Sequence, residues 1–581
     1  MNLQPAETDP IALHYAYKHF GPGVVDDIRK KWHRARLSYD DLVEDVRAYN
    51  TYRPEGFVRS SFEYQATLAY VRETFIPKRK LPLYSWEKII KSPDFPRQKS
   101  AGIPHIYTDA KKWMVAENPE LMAKYSAFWD AVGEGLQLPD AALFARAQIC
   151  SVEDNKIRAV WGYPMLAYLE EGRYFYPLLQ YLKDVDVELP IGYGFEVARG
   201  SIARLQGYAS KVEGSQVACV SDWSRFDKTV PSWLIYDCFE IIADMIDFSR
   251  EVQADGSDVE LDEVVTLRRF NHLVDYFVQT PLRDCKGNRY LASGGVPSGS
   301  CFTNVADTLV NVIVTRFCNL LVHGIYPCAE VYLGDDGVCF LSVHKADLVR
   351  LAECAKRHFG MVLNLKKSYT TDRCVGINFI GYKTGYGGIP KRDVDFLIAS
   401  FIEPEYKREA LFDIAAAALG QMWVCYSETQ AAHWYNIIEN ICIDFDFELE
   451  EVREHLSIYS YCHKYLQTCG IDIEKMSLPS NCTMFGCELN FAARLPMLNA
   501  RKLFIGKIGV HDYWRYRHIV LASEVGASEI FCGRLGIMVL FHYSLFHWHY
   551  FTAVARAAAL LLFYAASYLL KMDCTSMGYI N

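Results

Sequence analysis

Two adjacent aspartates, Asp335 and Asp336, stand between the apolar runs Ala329–Leu333 and Gly337–Leu341. Two carboxylates on one tight turn repel each other unless a cation lies close by, and hard oxygen ligands suit magnesium or manganese. Turn propensity explains one such aspartate better than two. A third carboxylate, Asp222, follows directly on the apolar run Val217-Ala218-Cys219-Val220, where a buried strand would open into a cleft. If Asp222 lies on the strand beside the hairpin, the trio can clamp two divalent ions about 3.5–4 Å apart. That geometry stabilises attacking and leaving oxygens in phosphoryl transfer. Asp227 lies just beyond, before the helix-like Pro231–Ile242; alone, an aspartate after a strand is usually a cap or turn residue.

Two further segments carry candidate groups. Ser293-Gly294-Gly295-Val296-Pro297-Ser298-Gly299-Ser300 runs through Cys301-Phe302-Thr303-Asn304 into the helix-like Val305–Val314. A Gly-rich loop opening a helix presents backbone N–H groups and hydroxyls to a phosphate or ribose. It has neither the lysine of a P-loop nor the G-x-S-x-G spacing of a hydrolase elbow. Leu363-Asn364-Leu365-Lys366-Lys367-Ser368-Tyr369 offers a lysine able to protonate a pyrophosphate leaving group. An exposed lysine pair is the plainer reading of that segment by itself.

The elements that must position these groups are partly readable. Glu330–Leu341 reads as two strands folded about Gly334-Asp335-Asp336-Gly337, an Asp-Gly step between hydrophobic runs being a hairpin signal. Residues 216–395 carry the strand-like runs. The first 210 residues alternate short helical patterns with Pro- and Gly-marked turns. The last 185 read as mainly helical, with Asp413–Leu419 and Ala553–Leu570 the clearest stretches. The acidic stretch Asp255–Glu263 reads as an exposed loop. No repeat or linker divides the chain, which predicts interlocked domains.

Composition sets the frame. The chain has 581 residues, 51% hydrophobic and 23% charged, enough to bury a large core. Its net charge of -9 argues against a surface coated all round by nucleic acid, though not against a locally basic channel. Local basic runs exist: Arg29-Lys30-Lys31 with Arg34 and Arg36, and Lys78-Arg79-Lys80. Eighteen cysteines without a C-x-x-C pair suggest free thiols in a reducing compartment. Cys462, Cys469, Cys482 and Cys487 are poorly spaced for structural zinc. The N-terminus has no signal-peptide pattern. The C-terminal stretches 535–554 and 557–570 are long and apolar, but His542, His547, His549 and Arg556 favour a buried helical core over a membrane span.

In this order and spacing the segments resemble the palm motifs of viral RNA-dependent RNA polymerases. Ser221–Asp227 is similar to motif A, Ser293–Asn304 to motif B, Tyr332–Asp336 to motif C and Leu363–Ser368 to motif D. Phe379–Asp393, with Gly387-Gly388 and Lys391-Arg392, is similar to the region of motif E. Upstream, Lys156-Ile157-Arg158-Ala159-Val160-Trp161-Gly162-Tyr163-Pro164 resembles motif F at the nucleotide entrance, in the form of the partitivirus polymerases. Ser100-Ala101-Gly102-Ile103-Pro104 is similar to motif G at the template entrance. The resemblance is dense over residues 100–395.

The resemblance implies an α+β right hand in closed form, with fingers, a palm built on an antiparallel sheet, and a helical thumb. Residues 1–215 would be mostly fingers with an N-terminal extension, 216–239 palm, 240–290 a fingers insertion, 291–395 palm again, and 396–581 helical thumb and C-terminal region. It implies Asp222 and Asp335 as principal metal ligands with Asp336 weaker or indirect. Arg158 would meet the incoming triphosphate with Lys156 beside it. Lys367 fits the general acid, a place Lys366 could also take. Asp227, Ser298 and Thr303, with Gly299 in the same loop, would sense the ribose 2′-OH. Many positive-strand virus polymerases read S-G-x3-T-x3-N in motif B. Here Asp307 holds the final position and Asn304 follows the threonine, so either can complete that network. Ser100, Gly102 and Pro104 would touch template.

The implied activity is RNA-directed RNA synthesis from ribonucleoside triphosphates with two Mg²⁺ or Mn²⁺ ions. The implied partners are template and nascent RNA and a viral capsid protein, with no membrane. The implied location is the virion interior and host cytoplasm. One rival is a reverse transcriptase, whose turn usually has an aromatic residue where this chain has Gly334. Another is a non-catalytic RNA-binding, capsid-associated protein on a decayed palm, against which every expected carboxylate is present.

Overall fold

The computed structural model describes residues 7–473 except 133–134, 185–186, 211–216, 293, 386–388, 406, 409, 459–465, 467, 472. The C-terminal apolar stretches, the Gly387-Gly388 turn, Ser293, Cys462, Cys482 and Cys487 lie outside the described residues. Cys469 is buried beside Tyr382, its sulfur 3.8 Å from the phenol oxygen.

At the centre lies a four-stranded antiparallel sheet in the order Ala329–Leu333, Asp336–Leu341, Val217–Ser221, Tyr369–Thr371. The apolar runs are continuous rather than alternating because helices and neighbouring chain cover these strands; Val338, Cys339, Phe340 and Leu341 are all buried. Against the sheet packs the helix Thr303–His323, flanked by Ser232–Met245 and Leu348–Phe359. The helix Thr303–His323 is long and apolar enough to cross a membrane, but 83% of its most apolar window is buried inside the protein. It stops at Gly324, whose φ of 73° closes the helix in the left-handed region.

A second sheet runs in the order Arg289–Leu291, Pro281–Arg283, Ala141–Ala147, Ile157–Gly162. Leu282 pairs with Ala141, so the chain leaves the central sheet after Asp227 and joins strands from far upstream before returning to the Ser298 loop. A third sheet contains Leu81–Tyr84, Ile246–Val252 and Asp258–Glu260. Here the expectation of a loop at Asp255–Glu263 is corrected. Asp258–Glu260 is a strand paired with Arg250–Val252, and Asp262 caps the helix Glu263–Val278. The hairpin turns at Asp255, whose Oδ1 accepts from Ser257 N at 2.9 Å, and Arg250 faces Asp258 at 3.7 Å. Polar residues alone did not mark this strand, because both its faces are exposed.

The apolar interior forms two cores. One joins the central and upstream sheets and their helices. The other joins the helices Val394–Ile402, Leu411–Val424, Glu428–Phe445 and Leu449–Ile458 to the N-terminal helices Pro10–Phe20 and Pro22–Lys31. Each N-terminal helix starts with proline, whose missing N–H costs nothing there, and Asp9 Oδ1 caps the first at 3.0 Å. The helices Pro10–Phe20 and Pro22–Lys31 therefore pack with the C-terminal helices, not with the upstream sheet. The following strand, Trp32–Arg34, pairs with Ile149–Ser151, and Arg34 donates to the Glu403 carbonyl at 3.0 and 2.5 Å. This arm joins the two cores.

Behind the central hairpin, Arg316 and Glu330 form a buried ion pair at 2.7 Å, and Tyr332 donates to Glu330 at 2.9 Å. Removing one partner leaves a buried charge unpaired. Glu330→Ala should therefore lower unfolding stability by about 3–5 kcal/mol, measured by urea denaturation.

Candidate active site

The three aspartates meet through strand register. Gly337 pairs with Ser221, so Asp222, the next residue, lies beside Asp336 at the open end of two adjacent strands. The hairpin itself turns one step earlier than its Asp-Gly signal suggests. Leu333 pairs with Asp336, leaving Gly334 and Asp335 as the two loop residues. Gly334 has φ 62°, and a positive φ at this position suits the twist of a two-residue loop. Asp336 is the first residue of the returning strand.

Electrostatics show that the three charges share one space. Burial raises the Asp336 pKa, and Asp335 and Asp222 raise it further, to about 7. Asp335 is solvent-accessible at its tip, yet the cleft walls still desolvate it and raise its pKa. Arg158 partly offsets that rise, while Asp227 and Asp222 add to it. Among the described residues no three acidic, His or Cys side chains close into a ready-made metal cage. The trio instead lines one cleft with negative charge that Arg158 only partly offsets and with hard oxygen donors, which fits divalent cations.

The cationic wall comes from the strand Ile157–Gly162. Ile157, Ala159 and Trp161 point into the core, so Arg158 is turned outward over the aspartates. Burial lowers the Lys156 pKa, as do Arg158 and Lys367, while Asp222 and Asp335 raise it. Lys156, Arg158 and Lys367 thus converge from two distant segments. It is Lys367, not Lys366, whose charge reaches Lys156. The Lys367 segment also fastens the first aspartate. Asn364 N donates to Asp222 O at 2.8 Å, and Asp222 N donates to Ser368 Oγ at 3.0 Å.

The Ser298 loop is docked on the Arg158 strand. Ser298 Oγ lies 3.3 Å from Trp161 N and 3.4 Å from Ala159 O. A Cβ on Gly299 would stand 1.7 Å from Trp161 O, so only glycine fits. Thr303 Oγ1 donates within the loop, to Pro297 O at 2.5 Å and Ser300 O at 3.0 Å. Between the two candidates left open, Asp307 is the one beside Asp227. Its carboxyl pKa is raised by burial and then by Asp227 and Asp335, and its Oδ1 has no partner among the described residues. Asn304 is exposed and lies against Gly334 at the hairpin tip. Ser100 bridges to Lys111, Ala101 O accepts from Met165 N at 2.8 Å, and Pro104 is exposed; this loop sits against the end of the Arg158 strand.

Two side chains that organise the site were missed in the sequence. Asn311, fully buried, donates to Gly334 O at 3.1 Å and Asp335 O at 3.2 Å, and accepts from Trp223 Nε1 at 3.2 Å. It ties the hairpin tip to the Asp222 segment. Its signal was there: Thr303, Asp307 and Asn311 recur every four residues on one helix face. Glu171, also buried, accepts from Ser300 Oγ at 2.8 Å and Cys301 N at 2.8 Å, holding the loop from behind. Nothing in the apolar run Met165–Leu182 distinguished it from its neighbour Glu170, which pairs with Arg173 at 2.7 Å.

A carboxylate-tipped antiparallel palm under a basic upstream sheet, closed by helices, is a right-hand polymerase fold. The family described as viral RNA-dependent RNA polymerase matches residues 10–393, and the chain belongs to it. It is 26% identical over 352 residues to the RNA-directed RNA polymerase of Cryptosporidium parvum virus 1, covering 56% of this chain and 62% of that one. It is 26% identical over 332 residues to that of Atkinsonella hypoxylon virus, covering 50% and 48%. The chain thus spans between 48% and 62% of the length of these two relatives. Among solved structures it is similar to the RNA-dependent RNA polymerase of a human picorbirnavirus, with TM-score 0.57 and 14% identity over 77% of this chain and 86% of that one. An insertion-loop deletion mutant of such an enzyme gives TM-score 0.52 and 15% identity over 88% and 89%.

Burial raises the Glu171 pKa from 4.5 to about 7, against the pull of its hydrogen bonds and Lys112. The unfolded chain therefore releases this proton first, and folded stability falls as pH climbs through the window between those two values. Glu171→Gln should remove that slope. Urea unfolding at about pH 5 and about pH 8 should show the stability difference, wild type minus variant, shrinking at the higher pH.

Proposed function

We propose that this chain is an RNA-directed RNA polymerase that joins ribonucleoside triphosphates on a viral RNA template, serving both genome replication and transcription. The observation that carries the reading is the register that sets Asp222 beside Asp335 and Asp336, beneath Arg158, Lys156 and Lys367.

Asp222 and Asp335, with Asp336 beside them, would hold Mg²⁺ or Mn²⁺, which supplies positive charge to activate a 3′-hydroxyl and steady a triphosphate. The protein's own groups do the rest. Arg158 and Lys156 neutralise phosphate oxygens of the incoming nucleotide. Lys367, whose charge acts on Lys156 at the site, would give a proton to departing pyrophosphate. Asp227 and Asp307 face the ribose, whose 2′-OH can donate to a carboxylate. Ser298 and Gly299 set the loop's distance from the Arg158 strand, and Ser100, Gly102 and Pro104 border the path of the template. Kinship with polymerases of double-stranded RNA viruses supports a capsid-protein partner and work inside the particle and in the host cytoplasm.

Purified protein, an RNA template, labelled ribonucleotides and Mg²⁺ or Mn²⁺ should give template-dependent product. Asp335→Ala should reduce it by at least about a hundredfold, the scale of losing one electrostatic catalytic group. Undiminished synthesis by that variant would remove the metal assignment.

A further inference from the structure

Residue Tyr49 lies far upstream of every polymerase segment, yet its side chain ends at the sugar-facing carboxylate. Its hydroxyl donates to Asp227 Oδ2 at 3.1 Å and lies 3.3 Å from Val296 O. One proton serves two acceptors, and the charged one is both nearer and stronger. The ring is buried at 4% exposure, so Tyr49 does not itself reach a nucleotide.

Its surroundings fix its position on every side. Arg53 Nη2 donates to Tyr49 O at 2.8 Å and Lys228 O at 2.6 Å. The ring meets Trp161 edge-on, with centroids 4.9 Å apart. A Cβ on Gly295 would stand 2.6 Å from the Tyr49 ring, so the loop's glycine leaves the space the ring fills. Four residues earlier, Asp45 pairs with the buried Lys228 and accepts from Ala159 N at 2.9 Å. Val296 N donates to Asp227 O at 2.7 Å. One short stretch, 45–53, therefore touches the Asp227 turn, the Ser298 loop and the Arg158 strand.

We infer that Tyr49 is a positioning residue for sugar selection: it holds Asp227 by Oδ2, so that Oδ1 is presented to the ribose 2′-hydroxyl. This deepens the proposed polymerase function and rests on it. Among the described residues Asp227 Oδ1 has no side-chain partner. Burial and the neighbouring Asp227 raise the Tyr49 pKa well above its ordinary value, so its hydroxyl stays a donor at any working pH. Without that donor the carboxylate turns freely about its broad, two-fold terminal torsion and presents Oδ1 to the sugar only part of the time.

The test is single-nucleotide extension on an RNA template with ATP and with dATP, comparing wild type and Tyr49→Phe, which keeps the ring and removes the hydroxyl. The ratio of kcat/KM for ATP over dATP should fall about tenfold, through a higher KM for ATP, while dATP is used as before. On an Asp227→Asn background the same change should have no further effect on the ratio. A melting temperature close to wild type should accompany the Tyr49→Phe result. An unchanged ratio, or equal losses with both nucleotides, overturns the inference and leaves the polymerase reading standing. Failure of the wild-type chain to extend with ATP overturns both.

Discussion

Gly337 faces Ser221 across the central sheet, and the site depends on that register. Side chains alternate along a strand, so a slip of one residue would exchange the two packed faces of the strand and carry Asp222 away from the hairpin. Burial of Val217–Val220 and Val338–Leu341 on covered faces makes such a slip costly. The same apolar packing that stabilises the sheet therefore brings three like charges together. Asp336 shows the result, with its pKa pushed up to about 7. The fold stabilises elsewhere what it destabilises here, an arrangement typical of sites built for a cation.

The opposing charge comes from outside the sheet. Arg158 offsets the rise at Asp335, and the aspartates in turn offset the drop at Lys156. Neither wall is relaxed without the other. Three contacts keep them at a set distance: Gly299 against the Trp161 carbonyl, Ser298 on the same strand, and Glu171 behind Ser300. Asn311 does the equivalent for the hairpin, its amide spanning the tip and its carbonyl meeting Trp223.

The N-terminal arm connects these parts. Its helices share a core with the C-terminal helices, its strand pairs with Ile149–Ser151, and Asp45 and Tyr49 reach the Arg158 strand and the Asp227 turn. This stretch acts through backbone pairing and single hydrogen bonds rather than through a motif of its own.

Local chemistry was legible in the amino-acid order. The continuous apolar runs ending in Asp222 and around Asp335 marked buried strands opening on a cleft, and the Gly- and Ser-rich run before Thr303 marked a loop that opens a helix. These signals are short-range: a few adjacent residues specify strand, turn or cap. What needed the tertiary structure was which groups come together. That Lys367 lies near Lys156 and Asp307 near Asp227 depends on which face of a turn or helix meets a partner more than 70 residues away in sequence. The strand at Asp258–Glu260 escaped notice because an exposed strand has no apolar alternation to betray it. Asn311, Glu171 and Tyr49 escaped because a polar residue inside an apolar stretch does not say whose carbonyl or carboxylate it will meet. That is settled only when distant strands pair and burial forces each polar group to find its partner.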